Sequence, residues 1–169
     1  GRKNRISYRL VKLDKEERMI DLNKPQLLKG FNEVTKGNGY YKARLSTAAS
    51  PKELMAGNYM LRSISKAKNT DHVIYTMESF EQYPDLHYAT LDFKKSIRLT
   101  HGIDQQKDYL WGTAELVSWI SLDGRKLEGV GYKPADFDPA KKYPMIVSFY
   151  ERNSETLFNY RMPEPHRST

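Results

Sequence analysis

The chain has 169 residues, 28 Lys+Arg against 21 Asp+Glu, no Cys and 38% hydrophobic residues, a length that suits one domain or two small pieces. Zero cysteine excludes disulfides, thiolate metal sites and a Cys nucleophile, and leaves the compartment open. The net charge of +7 is all N-terminal: residues 1 to 60 hold 13 Lys+Arg and 6 Asp+Glu, which leaves 15 of each for residues 61 to 169.

Even there the basic residues stand singly (Arg9, Lys12, Lys15, Arg18, Lys24, Lys29, Lys36) with acids between them, not in a stripe with stacking aromatics. This is the pattern of a solvated face, and no nucleic-acid partner is expected. The longest apolar run, Met145 to Phe149 broken by Ser148, is far short of the roughly 20 residues a membrane-crossing helix needs. Gly1-Arg2-Lys3-Asn4-Arg5 is charged but no apolar stretch follows it, so a secretory signal is absent or already removed. The expectation is a soluble chain, cytoplasmic or exported.

In chain order, Leu10-Val11-Lys12-Leu13 and Met19-Ile20-Asp21-Leu22 alternate apolar with polar around the charged turn Asp14-Lys15-Glu16-Glu17, which predicts a hairpin. Lys24 to Gly39, punctuated by Pro25, Gly30, Gly37 and Gly39, reads as loop with a turn or two of helix at most, and Tyr40 to Leu45 as a strand. Asn58 to Ser65 offers another. His72 to Met77, Leu86 to Leu91 and Ser96 to Thr100 predict three successive antiparallel strands. Such a meander is the substance of a propeller blade and needs neighbouring blades to bury its faces. No period repeats well enough to count blades.

A different unit follows Asp104-Gln105-Gln106-Lys107-Asp108. Glu115 to Leu122 and Arg125 to Tyr132 flank Asp123-Gly124, which predicts a β-hairpin with a two-residue turn. A loop with Pro134, Pro139 and Pro144 leads to Met145-Ile146-Val147-Ser148-Phe149-Tyr150, whose nearly unbroken apolar character predicts a strand buried on both faces, as in an α/β sheet. The composition shift places a domain boundary near residue 110. The fold class expected is mainly β: late propeller blades over residues 1–110, then the first strands of an α/β-hydrolase domain over 111–169.

Leu116-Val117-Ser118-Trp119, Asp123-Gly124, Gly131-Tyr132-Lys133-Pro134, Asp136-Phe137-Asp138-Pro139, Lys142-Tyr143-Pro144 and the apolar run ending in Tyr150 together resemble the propeller-to-hydrolase junction of the prolyl oligopeptidase family of serine peptidases. The dipeptidyl aminopeptidase and acylaminoacyl peptidase branches are the most similar. The resemblance covers about the last hundred residues, with 72 to 100 in the place of a late blade. It implies a propeller capping a hydrolase domain whose Ser-Asp-His triad cleaves short peptides, with a peptide as substrate and no cofactor or metal.

No Gly-x-Ser-x-Gly is present, so the nucleophile elbow that such a triad requires is absent from these 169 residues. We expect a piece of a longer peptidase, inactive by itself. His72, His87, His101 and His166 read as surface or packing residues. One role carries over from the resemblance, to Tyr150: in the family a tyrosine ending this strand donates its hydroxyl to the oxyanion that forms in the transition state. The family's small glycines are replaced after it by Glu151-Arg152-Asn153. Without the resemblance, Tyr150 reads as the cap of a buried strand with its polar tip in water.

Other constellations point to packing. Glu16-Glu17 lie beside Lys15 and Arg18 as ordinary turn composition, and Asp104 to Asp108 lacks the Gly and terminal Glu of a calcium loop. Tyr40, Tyr41, Tyr59, Tyr75, Tyr88 and Trp119 suit strand packing. The alternative function is a non-catalytic β-rich binding module whose basic N-terminal part meets an acidic partner. In a piece of a peptidase whose sheet is incomplete, the 145–150 strand is expected to pair with the 115–132 hairpin, with the tail from Glu151 or with a second copy, or else to be poorly ordered.

Overall fold

The computed structural model describes residues 4–14, 16, 18–102 and 106–163, and these form ten strands in three antiparallel sheets. The mainly-β expectation holds. No helix among the described residues is long and apolar enough to cross a membrane.

The first sheet is a meander of β1 (Ile6–Leu10), β2 (Pro25–Asn32), β3 (Asn38–Arg44) and β4 (Lys52–Gly57), paired in that order. It corrects two sequence expectations. The hairpin around residues 14–17 does not form, because β1 pairs with β2, from Ile6 opposite Asn32 to Leu10 opposite Leu28. Val11 instead continues the β1–β2 ladder with its N–H on the Leu27 carbonyl at 2.9 Å, and Val11 and Leu13 pack against the core, while Met19, Ile20 and Leu22 remain exposed. Lys15 and Glu17 lie outside the described residues.

The second correction is that Pro25–Asn32 is a strand and not a loop. Gly30 does not break it. A Cβ there would lie 2.4 Å from Cε2 of Tyr41, so the glycine makes room for a ring packed across the sheet.

The second sheet runs β5 (Met60–Lys66), β6 (His72–Glu78), β7 (Asp85–Thr90), β8 (Ser96–Arg98). The predicted three-strand meander is thus extended by β5 at its start and shortened at its end. Thr100 leaves the ladder because its hydroxyl is held by Asp85, donating at 2.8 Å, and by the Leu86 N–H at 2.9 Å.

The two meanders share one core: Leu27 and Tyr40 from the first, Leu61, Val73, Tyr75 and Ala89 from the second, with Phe93 from the β7–β8 turn. Tyr40 stacks on Phe93 with centroids 4.8 Å apart and meets Tyr75 edge-on at 5.9 Å, an arrangement that the ring quadrupoles favour. Burial pushes the Tyr40 hydroxyl well above the usual phenol range. Polar clamps add direction. Asn38 donates its N–H to the Tyr59 carbonyl at 3.0 Å and its Oδ1 accepts the Leu61 N–H at 3.2 Å.

The third sheet is the hairpin of β9 (Thr113–Ile120) and β10 (Lys126–Lys133). Its turn differs from the two-residue prediction. Gly124 N–H bonds to the Ser121 carbonyl and Ser121 N–H to the Arg125 carbonyl, both at 2.9 Å, which makes Leu122-Asp123-Gly124 a three-residue loop. Only Gly124 takes positive φ, at 79°, the left-handed position that closes such a loop.

Candidate functional site

The residues to which sequence assigns chemistry do not come together. Met145 to Tyr150, expected as a strand buried on both faces, has no ladder partner among the described residues, and Ile146 and Phe149 are 97% and 90% exposed. The physical reason is backbone accounting: a strand keeps its N–H and C=O groups out of water only where neighbouring strands accept them, and among the described residues neither the hairpin nor the tail pairs with this run. Tyr150 is 86% exposed, its side chain not held in a packed site.

The histidines are dispersed. His72 is exposed at the start of β6, with its ring 5.2 Å from Tyr88; His101 is exposed; His166 lies outside the described residues. His87 is the buried one. It stacks on Tyr75 at 5.4 Å, its Nε2 has no hydrogen-bond partner, and burial lowers its pKa below the ordinary 6.5. Beside it, Asp85 is fully buried at the head of β7 and is held by Arg98, by the Thr100 hydroxyl and by the Gly102 N–H at 2.9 Å. Although burial opposes the charge, those hydrogen bonds together prevail and hold the carboxyl below its usual range. The arrangement fastens β7 to β8 and the turn beyond. It presents no nucleophile.

Glu16 takes part only in a local turn, its N–H on Asp14 Oδ1 at 2.9 Å, and Asp104 and Gln105 lie outside the described residues. Among the described residues no three His, Asp or Glu gather as metal ligands.

What the structure does assemble is a junction. The hairpin is fastened to the first meander by Lys36, almost fully buried in the β2–β3 turn, whose Nζ meets Glu128 Oε2 at 2.7 Å and holds that carboxyl below its usual range. It is fastened to the second by aromatics: Trp111 Nε1 donates to the Phe80 carbonyl at 2.8 Å, and Phe80 lies 5.1 Å from Tyr132. The tail completes the joint. A 3-10 turn at Asn153–Thr156 brings Tyr160 flat against Trp111, centroids 5.0 Å apart at 9°, while the Tyr160 N–H reaches the buried Glu78 at 3.3 Å. These aromatics are spread over eighty residues of sequence, and no local pattern gathers Phe80, Tyr83, Trp111, Tyr132 and Tyr160.

A cleft of about 620 Å³ opens between the two meanders on the side of the β1–β2 connection. Leu13, Leu27, Leu54 and Leu91 are among the residues that line it, together with four lysines and two aspartates.

No family model and no curated protein matches the chain. Among solved structures it is similar to the AtxE2 isopeptidase in a variant with astexin3-dC4 bound, at 12% identity and a TM-score of 0.47, covering 83% of this chain and 26% of that one. The apo form of AtxE2 isopeptidase gives 12% identity, a TM-score of 0.48 and the same coverages. The chain thus spans about a quarter of the length of these solved structures.

Proposed function

We propose that this chain is the late-propeller and junction part of a longer serine peptidase of the prolyl oligopeptidase family, of the dipeptidyl aminopeptidase or acylaminoacyl peptidase kind, which hydrolyses short peptides. In that reading residues 1–110 belong to the propeller and 111–169 open the hydrolase domain. The observation that supports it is the order of units along the chain. Two complete four-stranded meanders with a common core are followed by a hairpin fastened to both of them, then by the Asp136-Phe137-Asp138-Pro139 and Lys142-Tyr143-Pro144 stretch and the apolar run.

Tyr150 would act only once the run 145–150 is received into a sheet, because a phenol must be held in place to favour the transition state over the ground state. The triad would come from elsewhere in the longer protein.

Two measurements test the reading. The coding sequence beyond residue 169 is expected to contain a Gly-x-Ser-x-Gly, and the longer product to label at that serine with a fluorophosphonate, whereas the 169-residue chain does not label. Labelling of the short chain at a defined serine, or a continuation without the elbow, overturns the proposal. In the longer protein Tyr150→Phe is expected to lower kcat by about 10²–10³ with little change in KM, the loss typical of one oxyanion donor. An unchanged kcat removes Tyr150 from the machinery.

A further inference from the structure

We propose that the cleft between the two meanders is a docking groove for an extended peptide segment of a partner, with aliphatic side chains flanked by acidic ones. This is independent of the peptidase reading and concerns a different surface from the junction.

The argument is one of uncompensated charge beside apolar side chains. Six charged side chains line the cleft: Lys12 from the β1–β2 connection, Lys42 from β3, Lys94 and Lys95 from the β7–β8 turn, and Asp71 and Asp92. The two acids are already engaged. Asp92 accepts the Thr90 hydroxyl at 2.6 Å and the Lys94 N–H at 3.2 Å and lies 4.0 Å from the Lys94 ammonium, and Asp71 faces Lys66 at 3.5 Å. Lys12, Lys42 and Lys95 have no ion-pair partner among the described residues. Three cations from three separate elements therefore line the cleft together with leucines, and a low-dielectric lining strengthens their field there.

The connection that carries Lys12 is tied by hydrogen bonds at both ends. Val11 continues the β1–β2 ladder with its N–H on the Leu27 carbonyl at 2.9 Å, and Gln26 Nε2 donates to the Asp21 carbonyl at 2.9 Å and the Lys24 carbonyl at 3.3 Å near the far end of the connection.

The chemistry of the lining selects the partner. No Phe, Tyr or Trp lines the cleft, so bases would find no platform to stack on, and a nucleic acid is disfavoured. The volume lies within the roughly 300–1,000 Å³ of ordinary ligand sites, enough for a few side chains. Aliphatic side chains against the leucines with carboxylates at either side, within reach of the lysines, satisfy both features at once. Two of the three lysines, Lys12 and Lys42, belong to the N-terminal excess of positive charge, which thereby acquires a local use.

The test is fluorescence anisotropy of the full chain with a fluorescein-labelled peptide of leucines flanked by aspartates. Three probes accompany it: the same peptide with lysines for aspartates, an aspartate peptide with serines for leucines, and phosphatidylglycerol vesicles. The Asp-Leu peptide is expected to bind, and the combined variant Lys12→Glu, Lys42→Glu, Lys95→Glu to weaken it by about tenfold, the sum of three modest exposed ion pairs. The milder Lys→Gln triple should fall between, with an unchanged near-UV spectrum, while Lys126→Glu on the hairpin should bind as the parent. Equal affinity in the charge-reversed chain overturns the proposal. So does equal binding of the lysine or serine peptide, or vesicle binding that depends on the same lysines while the peptide is ignored.

Discussion

Two stretches of this molecule read as apolar strands in sequence and end in opposite places. His72–Glu78 is a central strand whose Val73 and Tyr75 are about 1% exposed, whereas Met145 to Tyr150, the more hydrophobic of the two, lies in water. The difference is the backbone partner. β6 has β5 on one side and β7 on the other, so its peptide groups are satisfied and its side chains meet Tyr40 and Phe93 across the core; the 145–150 run has no strand on either side among the described residues. Hydrophobicity states a demand for burial. Only a ladder and a facing layer meet it.

Substitutions can break this comparison. The largest effect is expected at Leu61→Ala, a fully buried side chain between the meanders, which should cost about 2–5 kcal/mol in a urea titration. Should Leu61 prove replaceable for less than 1 kcal/mol or so, the common core is not one cooperative unit. A smaller loss, about 1–2 kcal/mol, is expected for Tyr160→Ala, which removes the ring contacts with Trp111 and Tyr83. Trp111 emission should shift to the red in that variant. If neither stability nor emission changes, the tail is not anchored as described.

A pH titration sharpens the same contrast. His87 has its pKa lowered by burial, so the unfolded chain binds the proton more readily. Its contribution is therefore complete above the ordinary value near 6.5 and is lost as pH falls below it toward the folded value, and stability should decline in mildly acid solution. His87→Leu should flatten that slope. A slope that survives the substitution would assign it to other groups. The smallest effect is expected at Phe149→Ser, within about 0.5 kcal/mol, since that side chain is already 90% exposed. A clear loss of stability there would mean that the run is covered in solution.

Much of the strand content is legible in sequence because alternation is local. The strands β6 and β7 follow directly from Val73-Ile74-Tyr75 and Leu86-His87-Tyr88, and Gly124 marks the hairpin turn. Which face of β7 is inside is another matter. Leu86 and Tyr88 look like the inward residues, yet Asp85, His87 and Ala89 are the more buried, because Arg98, Thr100 and Gly102 supply partners for the carboxylate from residues beyond the strand. A polar residue can take an inward position once its hydrogen bonds are met, and those donors come from the next turn of chain. The candidate Tyr150 was legible only through the resemblance, and the cleft lysines not at all as a group, since Lys12, Lys42 and Lys95 meet only when two meanders pack.

By itself, then, the sequence determines that the chain is β-rich, where most of its strands lie and that its positive excess is N-terminal, because propensity, alternation and charge are properties of neighbouring residues. Tertiary structure decides the rest. The pairing of β1 with β2 across a long connection, the strand through Gly30, the buried Asp85 and Lys36, and the aromatic joint of Trp111 with Tyr160 all depend on groups distant in sequence. Burial and hydrogen bonding reward contacts between residues that only the folded chain brings within reach.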